Sequence, residues 1–181
     1  MKKLLKLFLP ALLAGLAIGV GGVVYLSVEN RVAGALLFAV GLYAICLHGL
    51  NLFTGKVGYA LGQGWGYAGG LAVIWLGNFA GTALAAAAMG CTRQGAALAD
   101  KAAALCAAKL ADSPVSLFVL GIFCGMLMYI AVEGYKRCGN PLILFACVAA
   151  FILCGFEHCV ADMFYFAAAG LVTPATLCGW R

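Results

Sequence analysis

The stretch "CGFEHCVADMFYF", Cys154 to Phe166, sets a glutamate, a histidine and an aspartate inside one of the most apolar parts of the chain. Ionisable groups at membrane depth are costly, and they tend to face a bundle interior or a water-filled cavity, where they do work. The apolar segment that holds them runs from Pro141 to about Gly170. One straight span needs only about 20 residues. The excess length and the polar cluster in the second half together predict a break near Gly155.

Composition puts the rest of the chain in the same solvent. Its 181 residues are 66% hydrophobic and 9% charged, with a mean hydropathy of +1.09. So few charges cannot cover a soluble domain, so the chain is read as an integral membrane protein. Long apolar runs without alternation predict helices and exclude a transmembrane barrel. The net charge of +5 suits basic loops against anionic lipid and implies no nucleic acid. The nine cysteines include no C-x-x-C pair and mostly lie in apolar runs, so they are read as small buried hydrophobes. Cys91 and Cys106, in one loop, are the secondary candidates for pairing.

Five helices are expected to span. The start, "MKKLLKLFLPALLAGLAIGV", resembles a signal peptide but lacks a clear cleavage site, so it is read as a retained first helix, from about Leu7 to Leu26. Helix 2 begins near Val32 and is expected to unwind at "LHGLNLFTG", Leu47 to Gly55. Helix 3, about Trp65 to Met89, carries "LGNFAG", read as a packing face. A polar, Ala-rich stretch predicts a short interfacial helix. Helix 4 starts at Ser113 as N-cap, with Pro114 in the first turn, and ends near Tyr135. Helix 5 is the broken segment. Interrupted helices at matching places in two halves point to an inverted-repeat transport fold. The reading is one transmembrane domain over 1–181, with a first repeat of about 7–89 and an incomplete second of about 113–170. Lys2, Lys3 and Lys6 favour a cytoplasmic N-terminus.

"LNLFTGKVG", "WLGNFAGTAL", "AAKLADSP" and "GFEHCVADMFYF" follow one another in an order and spacing that resemble the formate/nitrite transporter family over nearly the whole chain. The resemblance implies an all-α membrane protein, an aquaporin-like inverted-repeat bundle with interrupted helices 2 and 5. It implies a homopentamer with a pore in each protomer, passing small monovalent anions of weak acids such as formate, nitrite or hydrosulfide. By the same resemblance the central histidine is His158, the lysine ahead of helix 4 is Lys109, and the threonine of the broken loop is Thr54. One constriction falls on Phe38, Leu42 and Phe53 or Leu52, and the other on Leu52 with Phe151. Glu157 matches the glutamate beside the histidine. Two positions depart from the family pattern: Gly125 in helix 4 and Asp162 in helix 5 stand where asparagine is common. The family's sixth helix repeats the L-G-N-x-x-G motif, which occurs here only at Leu76 to Gly81. The expectation is a shortened chain with an open groove beside helix 5, forming few stable pentamers and transporting poorly by itself.

An anion in an apolar slit suffers a large desolvation cost that a weak acid avoids by crossing protonated. Such a pathway needs an attractor, supplied by Lys109 and by half-helix N-termini. It needs slits, supplied by Phe38, Leu42, Leu52, Phe53 and Phe151, and a group to donate or polarise, such as His158, whose unperturbed pKa lies near neutrality and should be lowered by burial. Thr54 is expected to donate a hydrogen bond opposite His158. Glu157 is expected to brace backbone or a neighbouring subunit, Asp162 to bond backbone at the break, and His48 to make a structural hydrogen bond. Substrate and protons are the expected partners, within a lipid bilayer, most simply a bacterial inner membrane. No cofactor or metal is called for. Two histidines and no thiol pair do not make an enzyme's nucleophile–base pair or metal set. The alternatives are a neutral-solute channel of aquaporin type and a non-transporting shortened homologue.

Overall fold

The computed structural model describes residues 2–172. Any span formed after Gly170 lies almost wholly outside those residues. The described elements are α1 (Lys2–Ser27), α2 (Arg31–Leu47), a 3-10 turn at Val57–Tyr59, α3 (Trp65–Gly90), α4 (Gly95–Ala111), α5 (Pro114–Cys138), α6 (Leu142–Cys154) and α7 (Cys159–Ala168). The fold is the all-helical membrane bundle that the sequence implies. α1, α3 and α5 are long and apolar enough to cross a membrane alone, and α6 with α7, bent by 59° at the break, makes a fourth candidate. The expected fifth complete span is corrected here. α2 stops after 17 residues, because its end is closed locally.

That closure occurs twice. At the end of α2, Gly49 takes a left-handed φ of 62° and Leu50 N–H donates to Ile45 O at 2.9 Å. At the end of α6, Gly155 takes φ 71° and Phe156 N–H donates to Phe151 O at 2.9 Å. Both are glycine-ended terminations in which the residue after the glycine bonds back to the last turn. Only glycine takes that φ without steric cost. His48 closes α2 with its backbone N–H, donated to Ala44 O at 3.0 Å. Its side chain is exposed and makes no hydrogen bond among the described residues, which corrects the expected structural role.

α1 is the hub, packed on α2, α3, α4 and α7. It meets α3 backbone to backbone: a Cβ on Gly15 would collide with Asn78 O, and one on Gly81 with Leu12 O. Small residues permit this approach, which drives helix association where no hydrophobic effect operates. The closeness lets buried Asn78 act. Its Nδ2 donates to Ala11 O at 2.7 Å and to Asn51 O at 2.9 Å, while Oδ1 accepts from Phe53 N–H at 2.8 Å. Asn51 Nδ2 reaches Leu7 O at 3.1 Å, and Asn51 N–H reaches Pro10 O at 3.3 Å. The proline at position 10 cannot donate along α1. The irregular segment after α2 is thus satisfied by α1 and α3.

The cysteines divide. Cys106, Cys124 and Cys147 are buried, Cys46 and Cys159 partly so, and Cys91, Cys138 and Cys154 exposed; all of these are free, so Cys91 and Cys106 are not paired. α5 leaves a long apolar face open, with Val115, Phe118, Ile122 and Met126 all exposed.

Asn78→Ala should strip the side-chain partner from Asn51 O and Phe53 N–H in the irregular segment, at about 1–3 kcal/mol for a buried group left unpaired. We expect a clear fall in the thermal unfolding midpoint in detergent. Leu76→Ala on the exposed side of α3 should leave the midpoint nearly unchanged, and equal midpoints for the two variants would refute the anchoring role.

Candidate functional site

Each half of the site is delivered by an interrupted segment. The loop held by Asn78 carries Leu52, Phe53 and Thr54. The break after α6 carries Glu157 and His158, and α7 opens with His158 as its N-cap. The two breaks meet where Thr54 Oγ1 and His158 Nε2 lie 2.9 Å apart.

The direction of that bond follows from the other ring nitrogen. His158 Nδ1 accepts from Ala161 N–H at 3.0 Å. A backbone N–H can only donate, so Nδ1 carries no proton in this arrangement, and the neutral ring holds its proton on Nε2. His158 therefore donates to Thr54, which leaves the Thr54 hydroxyl proton free to be donated elsewhere. The ring is 2% exposed, and it stacks on Phe151 at 5.3 Å between centroids. Phe151 meets Phe38 edge to face at 6.0 Å. Phe38, Leu42, Leu52 and Phe151 are buried and Phe53 half-buried. Phe38 and Phe151, assigned by the resemblance to different constrictions, thus form one aromatic pair beside the histidine.

α4 supplies the lysine. Its buried residues Gly95, Leu98, Ala102 and Cys106 form one stripe, and Lys109 is the next position along it. Lys109 Nζ lies 2.6 Å from Glu157 Oε2 and 3.0 Å from Asp162 Oδ1, and all three side chains are about five-sixths buried, at 17%, 16% and 16% exposed. Glu157 and Asp162 therefore pair with Lys109. Among the described residues neither side chain bonds backbone, which corrects the expectation for Asp162 and one of the two for Glu157. A cavity of about 110 Å³ is lined by Tyr25, Arg31, Lys109, Phe151, His158 and Asp162 among others. Its volume holds several waters or one small acid.

Three residues that matter here were missed or misread. Asn78 reads along the chain as part of a packing motif, and Arg31 carries no local signal. Tyr25 was not singled out. A lone asparagine in an apolar span was a readable signal, because a buried amide must find partners.

Two interrupted segments of an all-helical membrane bundle thus meet at a buried histidine that lines a small cavity. A solved pentameric formate channel with formate bound matches with a TM-score of 0.83 and 29% identity, covering 97% of this chain and 80% of that one. An FNT family ion channel shares the fold, with a TM-score of 0.79 and 23% identity over the same shares. The formate/nitrite transporter family profile matches residues 1–180, and the chain belongs to that family. Among curated relatives, the formate channel FocA of Haemophilus influenzae is 26% identical over 92% of this chain, and the formate channel FocB of Escherichia coli 25% over 88%. The matches span 66% and 64% of those relatives' lengths.

Lys109→Gln should leave two buried carboxylates without a counter-charge, at a cost of about 3 kcal/mol. Asp162→Asn keeps the pair with Glu157 and should cost much less. Thermal unfolding midpoints of the two variants check this, and an equal fall in both would refute it.

Proposed function

We propose that this chain is a protomer of a membrane channel for small monovalent anions of weak acids, such as formate, nitrite or hydrosulfide. The observation that carries the reading is the buried His158, stacked on Phe151 and bonded to Thr54 at the floor of a small cavity. The relatives' names and the formate-bound homologue support the substrate class.

The physical sequence runs as follows. The anion reaches the cavity that Arg31, Lys109 and Asp162 border. It cannot pass the slit of Phe38, Leu42, Leu52, Phe53 and Phe151 as a bare charge, because desolvation is too costly. Taking a proton from cavity water, it crosses as the neutral acid. His158 orients it by turning its one N–H, at Nε2, from Thr54 to the acid, with the freed Thr54 hydroxyl as the opposite partner, and the acid gives up its proton to water beyond the slit. His158 need not lose its own proton. Doing so would leave an imidazolate, since Nδ1 is held unprotonated by Ala161 N–H.

The protomer is proposed to assemble as a homopentamer, with the open apolar face of α5 meeting lipid or a neighbour. Two repeats, about 7–89 and 113–170, are proposed to wall the pore. The N-terminus is proposed to lie in the cytoplasm of a bacterial cell, on the strength of Lys2, Lys3 and Lys6.

Flux into liposomes tests the reading, comparing formate, nitrite, hydrosulfide and glycerol at several pH values. Acid uptake should rise as pH falls, while glycerol stays excluded. Glycerol flux with no anion flux would make the chain a neutral-solute channel, and no flux at all would make it a non-transporting homologue. In His158→Asn the amide oxygen can still cap α7, so the fold should persist while acid uptake drops by up to about tenfold, the worth of one lost orienting hydrogen bond. An unchanged rate of acid uptake in that variant would remove His158 from the mechanism.

A further inference from the structure

Lys109 is the obvious attractor for an anion, but its charge is already committed. One ammonium faces two carboxylates, Glu157 at 2.6 Å and Asp162 at 3.0 Å. The trio carries a formal charge of −1 with all three groups ionised. Asp162 also lines the cavity beside Lys109, so an arriving anion meets a carboxylate as soon as it meets the ammonium.

The same cavity has a second cation. Arg31 lines it, and its Nη2 donates to Leu153 O at 3.0 Å, in the last turn of α6. That bond uses one part of the guanidinium fork. Among the described residues the other N–H groups meet no acceptor and Arg31 makes no ion pair. Glu29, its acidic neighbour in sequence, sits 3.5 Å from Lys101 instead. A basic residue at the first turn of α2 opposes that helix's own dipole, so α2 gains nothing from it. The C-terminus of α6 does gain, and the carbonyl bond holds the guanidinium at the mouth of the cavity.

We propose that Arg31 captures the substrate anion, and that Asp162 keeps Lys109 from doing so. The ligand class follows from the fork. A planar guanidinium presents parallel N–H donors that match a planar anion with two oxygens, as in a carboxylate or nitrite. Hydrosulfide has no such pair of acceptors and gains only the charge. The chain is therefore tuned to planar two-oxygen anions over hydrosulfide. This deepens the anion-channel reading and rests on it for the identity of the cargo.

The test uses formate as probe on the purified full chain. Binding is followed by NMR titration with labelled formate, and flux by liposome uptake of formate and hydrosulfide. Arg31→Gln should weaken formate binding by up to about fivefold, the range for a solvent-exposed charge. It should also flatten the dependence on ionic strength. Arg31→Lys keeps charge and can still cap Leu153 O, but should lose the preference for formate over hydrosulfide. Asp162→Asn should tighten formate binding by removing the carboxylate that lines the cavity and with it the trio's net negative charge, while Lys109 stays paired with Glu157, and should restore binding when combined with Arg31→Gln. Should Arg31→Gln fail to fold, the Arg31→Lys and Asp162→Asn arms still decide the matter. Unchanged selectivity in Arg31→Lys, weaker binding in Asp162→Asn, or no formate binding by the parent chain would overturn the proposal. Formate binding that responds as expected, in a chain without flux, would sink the transport reading and leave the capture site standing.

Discussion

The buried amide of Asn78 is the contact on which the site depends. A chain that leaves helical conformation at membrane depth exposes peptide groups that hydrocarbon cannot satisfy. Asn78 removes much of that cost by pairing with Ala11 O, Asn51 O and Phe53 N–H. It does so only because α1 and α3 approach at Gly15 and Gly81, where a side chain would strike backbone. Glycine packing, a buried amide and an irregular loop thus form one unit. What the loop gains is a fixed Thr54, aimed at His158.

The second break is held by charge and aromatic surface. Lys109 comes from α4, Glu157 from the break and Asp162 from the first turn of α7, so one ammonium ties three segments together. Phe151 stacks on the imidazole from the α6 side. The outer end of the first break is also secured, by Tyr59 bonding Glu133 and Lys136 donating to both, at 3.1 Å and 2.9 Å. Polar groups are placed where helices stop, and apolar packing is left to the helices themselves.

Much of this could be read along the chain. Gly49 and Gly155 followed apolar runs and announced the breaks, and Ser113 with Pro114 announced the start of α5, where Ser113 Oγ accepts from Ser116 N–H at 3.2 Å. His158 stood out because an ionisable group in an apolar run is expensive. What spacing could not show was which segments meet. Arg31 and Leu153 are far apart in sequence, and nothing local tells the arginine that its acceptor is the end of α6. Asp162 differed from the family pattern by one atom type, yet its weight depends on Lys109 lying within 3.0 Å. The sense of the Thr54–His158 bond was hidden for a similar reason, since it is decided by the cap on α7.

The glycine terminations also bear on how the protein enters the bilayer. α6 has 13 residues, about 20 Å at the helical rise per residue, against a hydrocarbon core of about 30 Å. It ends itself by a bond within its own last turn, so it is finished as a helix before any neighbour arrives. A finished helix of that length strands its carbonyl end in the interior of the bilayer. That end stays poorly solvated until Arg31 and the start of α7 reach it. Neither half-helix can therefore be stored in the membrane as an independent span, as α1 and α3 can. Insertion of this chain must be staged, with the long helices settling first and the broken ones threading in as a coupled pair.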